Sequence, residues 1–128
     1  MKNRIIITAS VFGALAVALG AFGAHGLKDA VDTYSLGILE KGVQYQFYHT
    51  FALLFLSLNA NETGKTIKYA YWFFVAGVVL FSGSLYLLAL RQVFDLGIAH
   101  IVGPVTPIGG LSFILGWILL LTSALKRK

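Results

Sequence analysis

Four long runs without a charged residue constrain the fold of this chain more than any other feature. The runs cover residues 5–24, 42–61, 69–90 and 96–125. An α-helix needs about 20 apolar residues to cross the roughly 30 Å hydrocarbon core of a bilayer. Each run meets that length. The sequence therefore predicts an all-α integral membrane protein, a single domain over residues 1–128 in which four transmembrane helices form a compact bundle. The predicted spans are about 5–25, 41–60, 67–90 and 107–125.

The composition excludes several other classes of protein. Only 12% of the residues are charged and 58% are hydrophobic, whereas about a quarter of the residues of a soluble domain are charged. The chain has no cysteine, which excludes thiol chemistry and thiolate metal sites. The net charge of +5 comes without a long basic tract, so we expect no nucleic-acid partner. The expected partner is the lipid bilayer, and the expected location is the plasma membrane.

The distribution of basic residues predicts the orientation of the spans. Positively charged residues concentrate in the cytoplasmic segments of membrane proteins. The two termini and the second loop together hold seven Lys and Arg residues, namely Lys2, Arg4, Lys65, Lys68, Lys126, Arg127 and Lys128. The first and third loops hold three, namely Lys28, Lys41 and Arg91. Both termini are therefore predicted to be cytoplasmic. The first run imitates a signal peptide, but we expect it to be retained because it is longer than a usual signal core.

Local signals predict where the helices begin. Thr66 is expected to cap the third span after a turn at residues 61–64, and Thr106-Pro107 is expected to start the fourth span. Residues 29–40 are expected to form a short helix at the membrane surface. The apolar third loop, residues 92–105, is expected at the interface or folded over the helix ends.

The second span begins with polar residues on one face. Tyr45, Gln46 and His49 share this face at 100° per residue, whereas Phe47, Phe51, Leu54 and Phe55 lie opposite. A polar group that faces hydrocarbon without a partner costs several kcal/mol, so the polar face is predicted to point into the bundle. With the predicted topology, all the polar positions collect near the outer surface. The candidate ligand-binding residues are His25, Tyr45, Gln46, His49, Ser82, Ser84, Tyr86, Arg91 and Thr106.

Small residues mark the expected helix contacts. Small side chains let membrane helices approach closely. The first span carries them at alternating steps of four and three, at Ala9, Gly13, Ala16, Gly20 and Gly23. We therefore expect a tight bundle in which the first span is central. Trp117 is expected to pack within the bundle. Arg91 follows the third span near Asp95 at the outer mouth, where we expect it to snorkel to the interface or, as the alternative, to face an anionic ligand.

Several motifs resemble those of a known family. They are Gly20-Ala21-Phe22-Gly23-Ala24-His25, Tyr45-Gln46 with His49, Phe81-Ser82-Gly83-Ser84-Leu85-Tyr86, Thr106-Pro107-Ile108-Gly109-Gly110 and Gly116-Trp117. In this order they resemble the family of domain of unknown function 423, small four-span membrane proteins related to the eukaryotic transmembrane protein 256 group. The resemblance implies four spans and no settled biochemical role, and it carries no catalytic residue over to this chain.

Three functions remain open from the sequence. The polar residues can form a pocket for a lipid or a small molecule, or they can hold the helices together through mutual hydrogen bonds. The chain can also be an assembly subunit of a membrane complex, or an oligomeric transporter, with a second copy or another membrane protein as its partner. A metal or haem site at His25, His49 and His100 is disfavoured by their spacing, so no cofactor is expected. The usual enzyme motifs are missing, and no catalytic activity is expected.

Overall fold

The computed structural model describes residues 1–60, 65–95 and 97–126. Every regular element within these ranges is helical, and the predicted all-α fold class is confirmed. The elements are α1 (Lys2–His25), α2 (Thr33–Leu58), α3 (Lys65–Gly77), a π-helical turn (Val78–Ser82), α4 (Gly83–Leu90), α5 (Ala99–Val102) and α6 (Val105–Leu125). The segment α3, π-helical turn and α4 forms one continuous helix, Lys65–Leu90.

Three helices in the described ranges are long and apolar enough to cross a membrane. They are Lys2–His25, Lys65–Leu90 and Ala99–Leu125. Helix α2 has 26 residues, which is also sufficient length, but Gln44, Gln46 and His49 lower its mean hydropathy. The fourth span therefore stays a prediction.

Helix α2, and not α1, is the central helix. On one side α2 packs along α1, where Ile5 and Leu56 join the same buried cluster and Gly23 lies against Leu39. On the other side it packs against α3, the π-helical turn and α4, and α6 packs against α3 and the π-helical turn. The expectation that the first span is central is wrong. The small residues of α1 form one narrow stripe, which gives close contact with only one neighbouring helix. The larger apolar residues on the rest of α1 remain exposed.

The predicted stripe of small residues on α1, at Ala9, Gly13, Ala16, Gly20 and Gly23, lies along the contact with α2. Ala9, Ala16 and Gly23 are buried. A Cβ atom placed on Gly13 would lie 3.5 Å from Thr50, and one on Gly20 would lie 3.5 Å from Val43. The prediction that these positions form a packing face is confirmed, because the two helices meet along it.

Helix α2 starts earlier than the sequence indicates. Asp32 caps it, since the Asp32 Oδ1 atom accepts a hydrogen bond of 2.7 Å from the backbone N–H of Ser35. This hydrogen bond lowers the pKa of the Asp32 carboxyl below its usual value. The chain then stays helical to Leu58, so the separate short helix expected at residues 29–40 is wrong. One helix, capped at Asp32, therefore includes both the residues that were expected at the membrane surface and the apolar residues that follow them.

The other predicted boundaries shift by at most three residues. Helix α3 is already helical at Lys65, so Thr66 lies within it and does not cap it. Helix α6 begins at Val105, which makes Pro107 its third residue. This position is still in the first turn, where a missing N–H breaks no intrahelical bond. The predicted turn at residues 61–64, and Arg127 and Lys128 of the predicted basic anchor, lie outside the described residues.

The segment between α4 and α6 contains the single turn of α5. Its apolar side chains Phe94 and Ile101 are exposed, and Val102 is buried. Asp95 has a positive φ of 49°, a conformation that Asp adopts more readily than most residues.

Candidate functional site

The Gln46 amide links three helices. Gln46 is 3% exposed. Its Nε2 atom donates a 2.7 Å hydrogen bond to the backbone carbonyl of Phe12 on α1, and its Oε1 atom accepts a 2.7 Å hydrogen bond from the Tyr86 hydroxyl on α4. Because Gln46 belongs to α2, one buried side chain holds α1 and α4 against the central helix.

Three hydroxyl groups make further links between helices. The Ser82 hydroxyl donates to the Gly42 carbonyl of α2 at 2.8 Å. The Ser84 hydroxyl donates to the Phe81 carbonyl at 2.8 Å, and its oxygen lies 2.6 Å from that of Thr106 on α6. Since the single Ser84 proton is directed to a carbonyl, Thr106 is the donor of the pair.

His49 has a partner at each ring nitrogen. Its Nδ1 atom lies 2.7 Å from the Tyr45 carbonyl, which can only accept, so Nδ1 carries the proton. Its Nε2 atom accepts a 3.2 Å hydrogen bond from the indole N–H of Trp117 on α6. His49 is 5% exposed. The ring is therefore held as the neutral Nδ1–H tautomer, with no nitrogen left for a metal or a substrate.

The structure brings together seven of the nine candidate residues and leaves two apart. His25 is exposed at the end of α1. Arg91 Nη1 donates to the Leu88 carbonyl at 3.4 Å, and its charge helps to lower the pKa of the Asp32 carboxyl. Arg91 forms no ion pair with Asp95 within the described part of the chain. In the same ranges, no group of three His, Asp or Glu residues is close enough to hold a metal ion.

An open groove lies between α2 and α6, with a volume of about 600 Å³. Its base is aromatic: the His49 and Phe113 rings stack with centroids 3.4 Å apart and planes 9° apart, and the Tyr45 and Phe81 centroids are 4.6 Å apart. The groove is lined by Tyr45, His49, Phe81, Pro107, Gly110, Leu111, Phe113, Ile114 and Trp117.

The α6 side of this groove was not predicted from the sequence. Trp117 was expected inside the bundle, but it is 47% exposed and lines the groove. Phe113 was not identified at all. A signal was available, because Phe113 and Trp117 are four residues apart on α6, as Tyr45 and His49 are on α2. Two such aromatic pairs indicate two faces that can meet.

The comparisons with known proteins identify the family. The model of a family described as "Protein of unknown function (DUF423)" matches residues 19–110. The chain belongs to this family. The family resemblance seen in the sequence motifs is confirmed.

The relatives of the chain are membrane proteins. A UPF0382 membrane protein of Staphylococcus epidermidis is 44% identical over 94% of both chains. YwdK of Bacillus subtilis, a UPF0382 membrane protein, is 40% identical over 94% of this chain and 95% of its own length. The UPF0382 inner membrane protein YgdD of Escherichia coli is 39% identical over all of this chain and 95% of its own. No solved structure matches. The chain is therefore a helical membrane protein.

Proposed function

We propose that this protein is a four-span protein of the cell membrane that binds a lipid-soluble small molecule in the groove between α2 and α6. The groove is the observation that carries the proposal. Ligand pockets typically have volumes of about 300–1,000 Å³, mostly apolar walls and few polar groups. The groove between α2 and α6 has these properties.

The packing of α2 supports its role as a fourth span. Helix α2 lies against α1 from the Gly23–Leu39 contact to the cluster that holds Ile5 and Leu56. If α1 crosses the bilayer, α2 must cross beside it. Its polar face costs little there because the hydrogen bonds of Gln46 and His49 satisfy it. Both termini then lie on one side, and the basic residues favour the cytoplasm.

The hydrogen bonds divide the candidate residues between two roles. Gln46, Ser82, Ser84, Tyr86 and Thr106 bond across helices, and we assign them to holding the bundle together. Tyr45 and His49 line the groove. We assign the Tyr45 hydroxyl to the ligand and the His49 ring to the groove wall, because both His49 nitrogens are already hydrogen-bonded.

Native mass spectrometry of the protein released from its own membrane tests the proposal. Gly110 lines the groove, and a Cβ atom there would meet only the Phe81 ring at 3.7 Å. A Gly110→Phe substitution should therefore fill the groove. We expect a discrete added mass on the wild-type protein that disappears with Gly110→Phe. Ile108→Phe is the control, because Ile108 is exposed on α6 and does not line the groove. The same added mass on the wild-type protein and on both variants would contradict the proposal.

A role as an assembly subunit is the second candidate. Helix α1 has its main contact with α2, and its exposed face carries Ile7, Val11, Leu15 and Val17. This face can pack against another membrane protein as well as against lipid. The same mass spectra test it, since a second polypeptide that stays bound would favour the assembly role.

A further inference from the structure

We infer that the ligand of the groove is a neutral molecule with a planar ring that carries a carbonyl oxygen and an apolar tail, as in an isoprenoid quinone. This inference rests on the proposed function, because it assigns a chemical class to the ligand of the same groove. It follows from the shape of the base, the polar groups that remain unused, and the side from which the groove is open.

The aromatic base favours a flat ring over a flexible chain. Aromatic rings attract one another in offset-stacked or tilted arrangements with centroids about 4.5–7 Å apart. The half-buried Tyr45 and Phe81 rings, with centroids 4.6 Å apart, and the exposed indole of Trp117 present ring surfaces in the groove. A planar ring can extend this stacking, whereas an acyl chain cannot.

The unused polar groups favour a carbonyl oxygen on that ring. Of the three groove-lining side chains with polar atoms, His49 and Trp117 bond to each other. The Tyr45 hydroxyl forms no hydrogen bond in the described part of the chain. The Tyr45 hydroxyl is also not fully buried. Among the described residues, Ser35 Oγ is the only fully buried side-chain polar atom without a hydrogen-bond partner. A phenol is a good hydrogen-bond donor, and a carbonyl is the acceptor that matches it.

The charge and the opening of the groove favour a neutral molecule that arrives from the bilayer. No charged residue is among the side chains that line it, and an unpaired charge would be costly there. Leu111, Ile114 and Trp117 form its rim and are exposed on the apolar surface of α6. The ring can therefore enter sideways while its tail stays in lipid.

The two tryptophans allow a direct test, because quinones quench indole fluorescence on contact. Trp117 lines the groove, and Trp72 is exposed on α3 and does not line it. We would place the Trp72→Phe variant, which keeps Trp117, in lipid nanodiscs and add ubiquinone or menaquinone. We expect saturable quenching of Trp117. The Trp117→Phe variant, which keeps Trp72, should show only the non-saturating quenching caused by quinone dissolved in the bilayer.

A third variant tests the hydrogen bond. Tyr45→Phe in the Trp72→Phe background should raise the half-saturating quinone concentration about 3- to 10-fold, which is the effect of one hydrogen bond. Tyr48→Phe is the control, since Tyr48 is exposed and does not line the groove. An equal effect of both substitutions, or none of either, would overturn the role of the Tyr45 hydroxyl.

The outcomes separate the ligand class from the proposed function. If Trp117 shows no saturable quenching while native mass spectrometry finds an added mass that Gly110→Phe removes, the quinone class is wrong and the groove still binds a ligand. If neither signal is present, both the class and the proposed function are overturned.

Discussion

Gly109 lies directly against the backbone of Phe81. A Cβ atom on Gly109 would come within 2.8 Å of the Phe81 Cα atom and closer still to its backbone nitrogen. Phe81 belongs to the π-helical turn, Val78–Ser82, so this is where the turn meets α6. Turns of this kind are often found at functional sites, and here Phe81 also forms part of the groove base.

Gly109→Ala should therefore destabilise the protein more than Gly110→Ala. Backbone cannot move aside as a flexible side chain can, so we expect a loss of about 1–3 kcal/mol for Gly109→Ala. At Gly110 the added methyl group would make an ordinary contact of 3.7 Å with the Phe81 ring. Thermal unfolding in detergent measures both variants. Equal midpoints for Gly109→Ala and Gly110→Ala would contradict the contact.

A double-mutant cycle should detect the hydrogen bond between Gln46 and Tyr86. Gln46→Leu and Tyr86→Phe each remove one partner, and the double variant should lose less stability than the sum of the two losses. We expect a coupling free energy of about 0.6–2 kcal/mol, as for other hydrogen bonds between membrane helices. A cycle with Tyr34→Phe is the control, because Tyr34 is exposed. Coupling within error of zero for Tyr86 would refute the link.

The His49 ring should be a neutral Nδ1–H tautomer. Its Nδ1 faces a carbonyl and its Nε2 faces an indole N–H, so the opposite tautomer would lose both hydrogen bonds. Imidazole ¹⁵N chemical shifts at neutral pH measure the tautomer directly. Trp117→Phe removes the indole donor and should shift the Nε2 resonance more than Trp72→Phe does. A protonated Nε2 in the wild-type protein would contradict the arrangement.

The cap at Asp32 should make stability depend on pH in the acid range. The folded-state pKa of this carboxyl is lowered, so its contribution is present above the unfolded value of about 3.8 and is lost as the pH falls through the folded-state value. The difference in thermal unfolding midpoint between the wild type and Asp32→Ala should therefore have its full size at pH 7 and become smaller below about pH 4. Asp32→Asn keeps an uncharged cap, and its difference from Asp32→Ala should not depend on pH in this way. A constant difference between wild type and Asp32→Ala would exclude the effect.

Cysteine labelling should report the number of spans without interference, because the chain has no cysteine of its own. With four spans, Ala30→Cys should react with a membrane-impermeant maleimide in intact cells. Lys65→Cys and Lys126→Cys should react only after permeabilisation. If α2 does not cross the membrane, Ala30→Cys and Lys65→Cys would instead lie on the same side and be labelled together.

The sequence was sufficient for properties that depend on one helix at a time. Charge-free length indicated the membrane helices, and the 100° spacing of Tyr45, Gln46 and His49 indicated a face that the structure buries or half-buries. The small residues of α1 indicated a contact face for the same reason. Each of these patterns is a periodic property of neighbouring residues, so no distant part of the chain is needed to interpret it.

Contacts between helices were decided only by the tertiary structure. The central position of α2 follows from how the helices pack. The sequence of α1 indicates a packing face, but it does not indicate which helix packs against that face. His49 finds its donor in Trp117, 68 residues further along the chain, and no periodicity within α2 specifies that partner. The groove is also a product of packing, because Tyr45 and His49 form its base only where Phe81 and Phe113 meet them. Local sequence determines which face of a helix is buried, whereas the partner of each buried group depends on how the helices cross.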